Sequence, residues 1–190
     1  MFLINELISL LAANMILTRA LGTSTLFIAS GSRKNLVATA SVITLFTTCG
    51  SAAAYLINYL SGGKYSNFIL LFYTLAVGII YIILLALFYL FFRQGFDKVR
   101  KYIHLSAFNC AVMGTLFTIS ESSSNSAEGM SLGDFLFYGF ESGAGFVLAA
   151  LILSAAFGRL NASRVPYSFR GFPAMLVYLG IISMAVYSLK

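Results

Sequence analysis

The chain has 190 residues, of which 59% are hydrophobic and only 9% charged, with a mean hydropathy of +0.91. A soluble domain carries roughly 25% charged residues, so a water-soluble globule is excluded and an all-α integral membrane protein is expected. The net charge of +6 is assigned to cytoplasmic loops rather than to nucleic-acid binding.

A helix that crosses a bilayer needs about 20 mostly apolar residues, and six segments qualify. The first, Phe2 to Ser30, is too long for one plain helix and carries Asn14 and Arg19 in its middle. A break is expected near Arg19 to Gly22. The second, Leu36 to Leu60, holds the small run Gly50, Ser51, Ala52, Ala53, Ala54, which suits close helix contact. The third, Phe68 to Phe92, is an oily helix that should face lipid over much of its surface. The fourth, Tyr102 to Ile119, is short and carries His104, Ser106, Asn109 and Cys110, so it too is expected to be broken. The fifth is Phe135 to Phe157. The sixth, Pro173 to Leu189, opens on a proline whose missing N–H does no harm in a first turn. Ser120 to Ser131 reads as a flexible, water-exposed loop, and Gly158 to Gly171 as a basic connection.

With six crossings the loops alternate. One set holds Arg33, Lys34, Arg93, Lys98, Arg100, Lys101, Arg159, Arg164 and Arg170, while the other holds only Lys64 and Lys190. The basic set is assigned to the cytoplasm and both termini to the outside. Three crossings per half make the second half enter from the opposite face, which is the arithmetic of a 3+3 inverted repeat. The repeats are residues 1–92 and 93–190 of one membrane domain, with helices 1 and 4 broken. Setting A-L-G-T-S-T-L-F against A-F-N-C-A-V-M-G puts Ser24 and Cys110 at like positions.

Polar groups at bilayer depth mark packed or functional places, so several residues stand out. Asn14, Gly22, Asn109 and Gly114 are candidates for holding the breaks or lining an ion path. Cys110 reads first as a small residue of a helix interface and second as a metal ligand, and Cys49 as packing. His104, beside Lys101, reads as interfacial packing or a backbone hydrogen bond ahead of a proton relay. Glu141 lies in Y-G-F-E-S-G-A-G, where Gly139 and Gly143 form a step that admits a neighbouring backbone. It is either a buried carboxylate that binds a cation or carries a proton, or an acid near the surface, about two turns from Asp134. Arg19 is expected to pair with Glu6 or with a backbone carbonyl at the helix break. No soluble-enzyme motif is present, and with one histidine in the chain a His-based metal site needs a partner.

These motifs, taken in order, resemble the paired six-helix membrane subunits of the Rnf and sodium-pumping Nqr electron-transfer complexes. The resemblance rests on N-M-I-L-T-R-A-L-G (residues 14–22), S-R-K (32–34), F-N-C-A-V-M-G (108–114), Y-G-F-E-S-G-A-G-F (138–146) and V-P-Y-S-F-R-G (165–171). The last looks like the RnfA and NqrE branch of the family. The resemblance implies a bacterial or archaeal cytoplasmic membrane, a homologous sister subunit of opposite topology, and further flavin-bearing and iron–sulfur subunits. It also implies a [2Fe–2S] cluster in the bilayer, held by one cysteine from each half of each subunit, with electron flow coupled to Na⁺ or H⁺. Cys110 matches that pattern. The other ligand position does not: the family's L-G-x-C reads Leu21-Gly22-Thr23-Ser24. Either Ser24 replaces a thiolate in the cluster or the cluster is absent. Two further readings stand beside the redox subunit, a secondary transporter of the same repeat architecture and a cluster-less scaffold of the complex.

Overall fold

A computed structural model of the chain describes residues 14–29, 33–61, 68–91, 96–125, 130–163 and 165–188, all helices and short connections. The helices are α1 (Met15–Arg19), α2 (Thr23–Ala29), α3 (Arg33–Ser61), α4 (Ile69–Phe91), α5 (Phe96–Ala107), α6 (Cys110–Asn125), α7 (Leu132–Leu160) and α8 (Phe172–Tyr187), with a 3₁₀ turn at Tyr167–Phe169 before the last.

Three helices among the described residues are long and apolar enough to cross a bilayer, at residues 35–61, 69–91 and 132–160. A fourth crossing exists if Val99–Ala107 and Cys110–Ser123, bent by 44° at their break, form one broken span. Among the described residues, then, three or four of the six expected crossings meet the length and hydropathy a span requires. Helices α1 and α2 have only 5 and 7 residues, and the earlier part of the first expected span, residues 2–13, lies outside the described residues. Helix α8 has 16 residues, about 24 Å of rise against a hydrocarbon core of about 30 Å.

Helices α3 and α7 form the centre. Each runs for 29 residues, and they cross where α7 has no side chains. A Cβ added at Gly143 would sit 2.6 Å from Thr44 Cα, and one at Gly139 would sit 2.7 Å from the Thr47 carbonyl. The G-x-x-x-G step thus does what its spacing suggested. Ser131 starts α7 with a capping box, its hydroxyl accepting from the Asp134 N–H while the Asp134 carboxylate accepts from the Ser131 N–H. Helix α4 buries only Tyr73 and Val77 on its described surface, as an oily lipid-facing helix should. Its Tyr73 hydroxyl donates to Asn58 Oδ1 at 2.8 Å, and Asn58 in turn meets Ser120. That polar knot ties α3, α4 and α6 at one end. At the other, the Tyr102 hydroxyl donates to Asn35 Oδ1 at 2.7 Å and ties α5 to α3.

Three local expectations need correction. The serine-rich segment is not a loop from Ser120, because α6 continues to Asn125, and residues 126–129 lie outside the described set. Within it the Ser122 hydroxyl bonds inside the helix, to the Thr118 carbonyl at 2.9 Å. Cys49 does not pack: it is exposed, while its neighbours Gly50 and Ser51 face inward. His104 packs its ring 5.5 Å from that of Tyr81, but its bonds among the described residues go to side chains and not to backbone, the Tyr81 hydroxyl at 2.6 Å and Arg100 Nε at 3.0 Å.

Candidate functional site: two helix breaks in contact

The first break falls at Ala20–Gly22, where the sequence placed it. Ala20 (φ 54) and Gly22 (φ 81) both take the left-handed conformation. Gly22 does so freely, and Ala20 at a cost of roughly 1–2 kcal/mol. In a continuous helix the Leu17 carbonyl would take the Leu21 N–H. Here the Ser183 hydroxyl of α8 donates to it instead. The Ala20 carbonyl accepts from the Thr23 hydroxyl at 3.2 Å. The Thr18 carbonyl loses the Gly22 N–H and has no replacement among the described residues.

The second break falls at Phe108–Asn109. Asn109 caps α6, its Oδ1 accepting from the Ala111 N–H at 3.0 Å, as an N-cap asparagine does. That bond fixes the amide's orientation, since only the oxygen can accept. It leaves Asn109 Nδ2 buried without a partner among the described residues.

The two breaks touch. A Cβ on Gly22 would meet Ala111 Cβ at 2.9 Å, Asn109 Oδ1 at 3.0 Å and Phe146 Cε2 at 3.0 Å. Leu21 in turn packs against the bare backbone of Gly114. Gly22, Asn109 and Gly114, singled out separately in sequence, are thus parts of one contact. The convergence expected of two broken helices is present in the described residues.

Asn14 lies behind this contact and is 1% exposed. Its Oδ1 caps α1 by accepting from the Ile16 N–H at 2.9 Å, and its Nδ2 donates to the Gly145 carbonyl at 2.6 Å. Its role is to start the short α1 and pin it to α7. Among the described residues Arg19 bonds a side chain and not a backbone carbonyl. Its Nη1 donates to the Thr118 hydroxyl of α6 at 2.8 Å, while Glu6 lies outside the described residues. Arg19 therefore bridges the two broken elements from the exposed side.

Ser24 and Cys110 stand immediately past their respective breaks, in the first turns of α2 and α6, and both are exposed. No cluster of three or more His, Cys, Asp or Glu side chains forms among the described residues. On this chain the Cys110 side chain faces outward rather than into the helix bundle. Glu141 is ten residues into α7, about 14 Å from its start, so it is inside the helix rather than at its boundary. It is half-buried and has no hydrogen bond or ion pair among the described residues, and it takes no part in the contact between the breaks.

Residues that reading of the sequence missed complete the site. Phe146 closes over Gly22, Thr118 receives Arg19, Ser183 receives the freed carbonyl, and Thr115 and Ser142 bond at 2.6 Å between α6 and α7. Ser183 had a signal available, as the one serine in an otherwise apolar and aromatic last helix. The others had none, because their partners are far away in the chain.

A family model described as Rnf-Nqr subunit, membrane protein, matches residues 3–190. Among curated proteins, the RnfA-type component of the ion-translocating oxidoreductase complex of Alkalilimnicola ehrlichii is 39% identical over 83 residues, which are 44% of this chain and 40% of that protein. The NqrE-type component of the Na(+)-translocating NADH-quinone reductase of Hahella chejuensis is 29% identical over 99 residues, 52% of this chain and 45% of that protein. In both, the match spans less than half of the relative's length. The RnfA-type protein of Psychromonas ingrahamii is 25% identical over 186 residues, 93% of this chain and 90% of that protein.

Proposed function

The chain belongs to the Rnf-Nqr family of membrane subunits, and from that premise we propose that it is a membrane subunit of an ion-translocating oxidoreductase complex. It pairs there with a homologous sister of opposite topology, in a cytoplasmic membrane, beside flavin-bearing and iron–sulfur subunits. Its six crossings form a 3+3 inverted repeat, α1–α2, α3 and α4 against α5–α6, α7 and α8. The observation that carries this reading is the contact of the two breaks, Gly22 on Ala111 and Asn109, and Leu21 on Gly114.

The donor set of this chain fits half of a cluster site and no more. A [2Fe–2S] cluster ordinarily takes four thiolates, and this chain offers the exposed Cys110 thiol and the exposed Ser24 hydroxyl. The sister subunit supplies the other half. When bound, the cluster supplies a one-electron relay at the centre of the bilayer. The rest is the work of this chain's residues. Cys110, in the first turn of α6, stands at the positive end of a helix dipole, where a negatively charged ligand is favoured. Ser24 is the poorer ligand, because a hydroxyl gives up its proton far less readily than a thiol. Gly22 and Asn109 keep both half-helix starts together, so a change of charge beside them alters the balance between two packings of the broken helices. The ion, Na⁺ or H⁺, passes along freed backbone oxygens such as that of Thr18 rather than through a cage of carboxylates.

The test is iron analysis and a reduced-minus-oxidised spectrum of the purified complex, with and without Ser24→Cys. Iron in both forms, with a spectrum and midpoint potential that shift on substitution, is the expected result. Iron absent from both forms would sink the cluster reading for this chain.

A further inference from the structure

Between α4 and α5, on the outer side of the bundle, lies a trough of about 530 Å³ that the proposed function does not use. Its walls are apolar, formed by Ile82, Leu85 and Ala86 of α4 with the rings of Tyr89 and Phe96, which meet edge to face at 5.3 Å. Its remaining lining residues, Tyr81, Arg100 and His104, are polar and bonded in a row. Arginine only donates, so His104 Nε2 accepts from Arg100 Nε at 3.0 Å. The proton of the neutral ring therefore sits on Nδ1 and goes to the Tyr81 hydroxyl at 2.6 Å. This commits one nitrogen of the guanidinium. The other two have no partner among the described residues, and Arg100 is exposed with Lys101 beside it, also exposed. No acidic residue lines the trough among the described residues.

We propose that this trough holds one anionic glycerophospholipid of the surrounding bilayer, with an acyl chain between α4 and α5 and its phosphate on the two remaining nitrogens of Arg100. Three observations favour a lipid. The volume is that of a small-ligand pocket and has room for one acyl chain, the rest of the lipid staying in the bilayer. The α4 wall is continuous with a face that is open along its length, with Ile79 56%, Ile82 65% and Ile83 56% exposed. Helix α5 is amphipathic, turning Ile103 and Ala107 inward and Arg100, Lys101 and His104 outward. Arg100 lies nine residues, about 14 Å, before the break at Asn109, so with that break at mid-bilayer it stands at the level of headgroups, where a basic pocket between helices recognises an anionic phosphate. The inference does not depend on the cluster or on the ion carried.

The test uses the intact complex reconstituted with photoactivatable phosphatidylglycerol or phosphatidylcholine, each carrying the reactive group in an acyl chain, with adducts mapped by peptide mass spectrometry. The unaltered complex should give adducts on α4 and α5 residues of the trough, with phosphatidylglycerol preferred. Arg100→Gln should lower that preference about fivefold, the factor that one basic residue contributes near an anionic surface. Leu85→Trp, which fills the trough, should lower adducts from both lipids, and Arg170→Gln, in the connection before α8, should change neither. Equal labelling by the two lipids in the unaltered complex overturns the proposal. So does an Arg100→Gln complex that keeps the full preference, or a Leu85→Trp complex labelled as strongly as before, the outcome expected if a protein partner covers the trough.

Discussion

The two helix breaks meet at one point but are built by different means. The first is made of backbone: two left-handed residues, Ala20 and Gly22, turn the chain, and one of its freed carbonyls, that of Leu17, is met by Ser183 of α8. The second is made of a side chain: Asn109 ends the α5 segment and starts α6 by bonding the Ala111 N–H. A backbone break tolerates most changes around it but depends on one residue without a Cβ. A side-chain break tolerates any residue that can still accept a hydrogen bond. The pair therefore predicts different patterns of sensitivity on the two sides of one contact.

Gly22→Ala should have the largest effect. The new methyl lies 2.9–3.0 Å from Ala111, Asn109 and Phe146 on a left-handed residue, so overpacking and backbone strain both oppose it, by about 2–4 kcal/mol together. Thermal unfolding in detergent should show it, and no other small residue should rescue it. Asn109→Leu should cost about 1–3 kcal/mol, by removing the cap and leaving the Ala111 N–H buried without an acceptor. Here Asn109→Ser should recover most of the loss. If serine fails at 109, or alanine is harmless at 22, the contrast between the two breaks is wrong. Gly114→Ala should be milder, about 0.5–1.5 kcal/mol, because the atom in its way is the end of the flexible Leu21 side chain, which can change rotamer. The smallest effect runs the other way. Ala20→Gly should raise stability by about 0.5–1 kcal/mol, as removal of the left-handed penalty outweighs the added freedom of the unfolded chain.

Much of this is legible in the residues. The break at Arg19–Gly22, the close step at Gly139 and Gly143, the lipid-facing α4 and the two stretches around Gly22 and Asn109 can each be read from local chemistry. What cannot be read is orientation about a helix axis. Cys49 and Cys110 sit in similar apolar runs and both read first as packing, yet both side chains face outward. The α6 helix continues past Ser120 to Asn125, with the Ser122 hydroxyl bonding the Thr118 carbonyl one turn back, a conformation that composition alone leaves open because serine serves both helix and loop. Arg19 finds Thr118, 99 positions along the chain, and no local pattern announces such a partner.

Composition by itself determined the solvent: with 9% of its residues charged, this chain has too little polar surface to cover a body in water. Spacing determined where helices stop, since glycine and asparagine change what a single residue's backbone can do, and that is a local property. Only the tertiary structure decided which stops meet. Whether Gly22 rests on Asn109, and whether Cys110 looks inward or outward, depends on how α1, α2 and α6 pack against α7 and α8, and contacts between residues about ninety positions apart are written in no single stretch of chain.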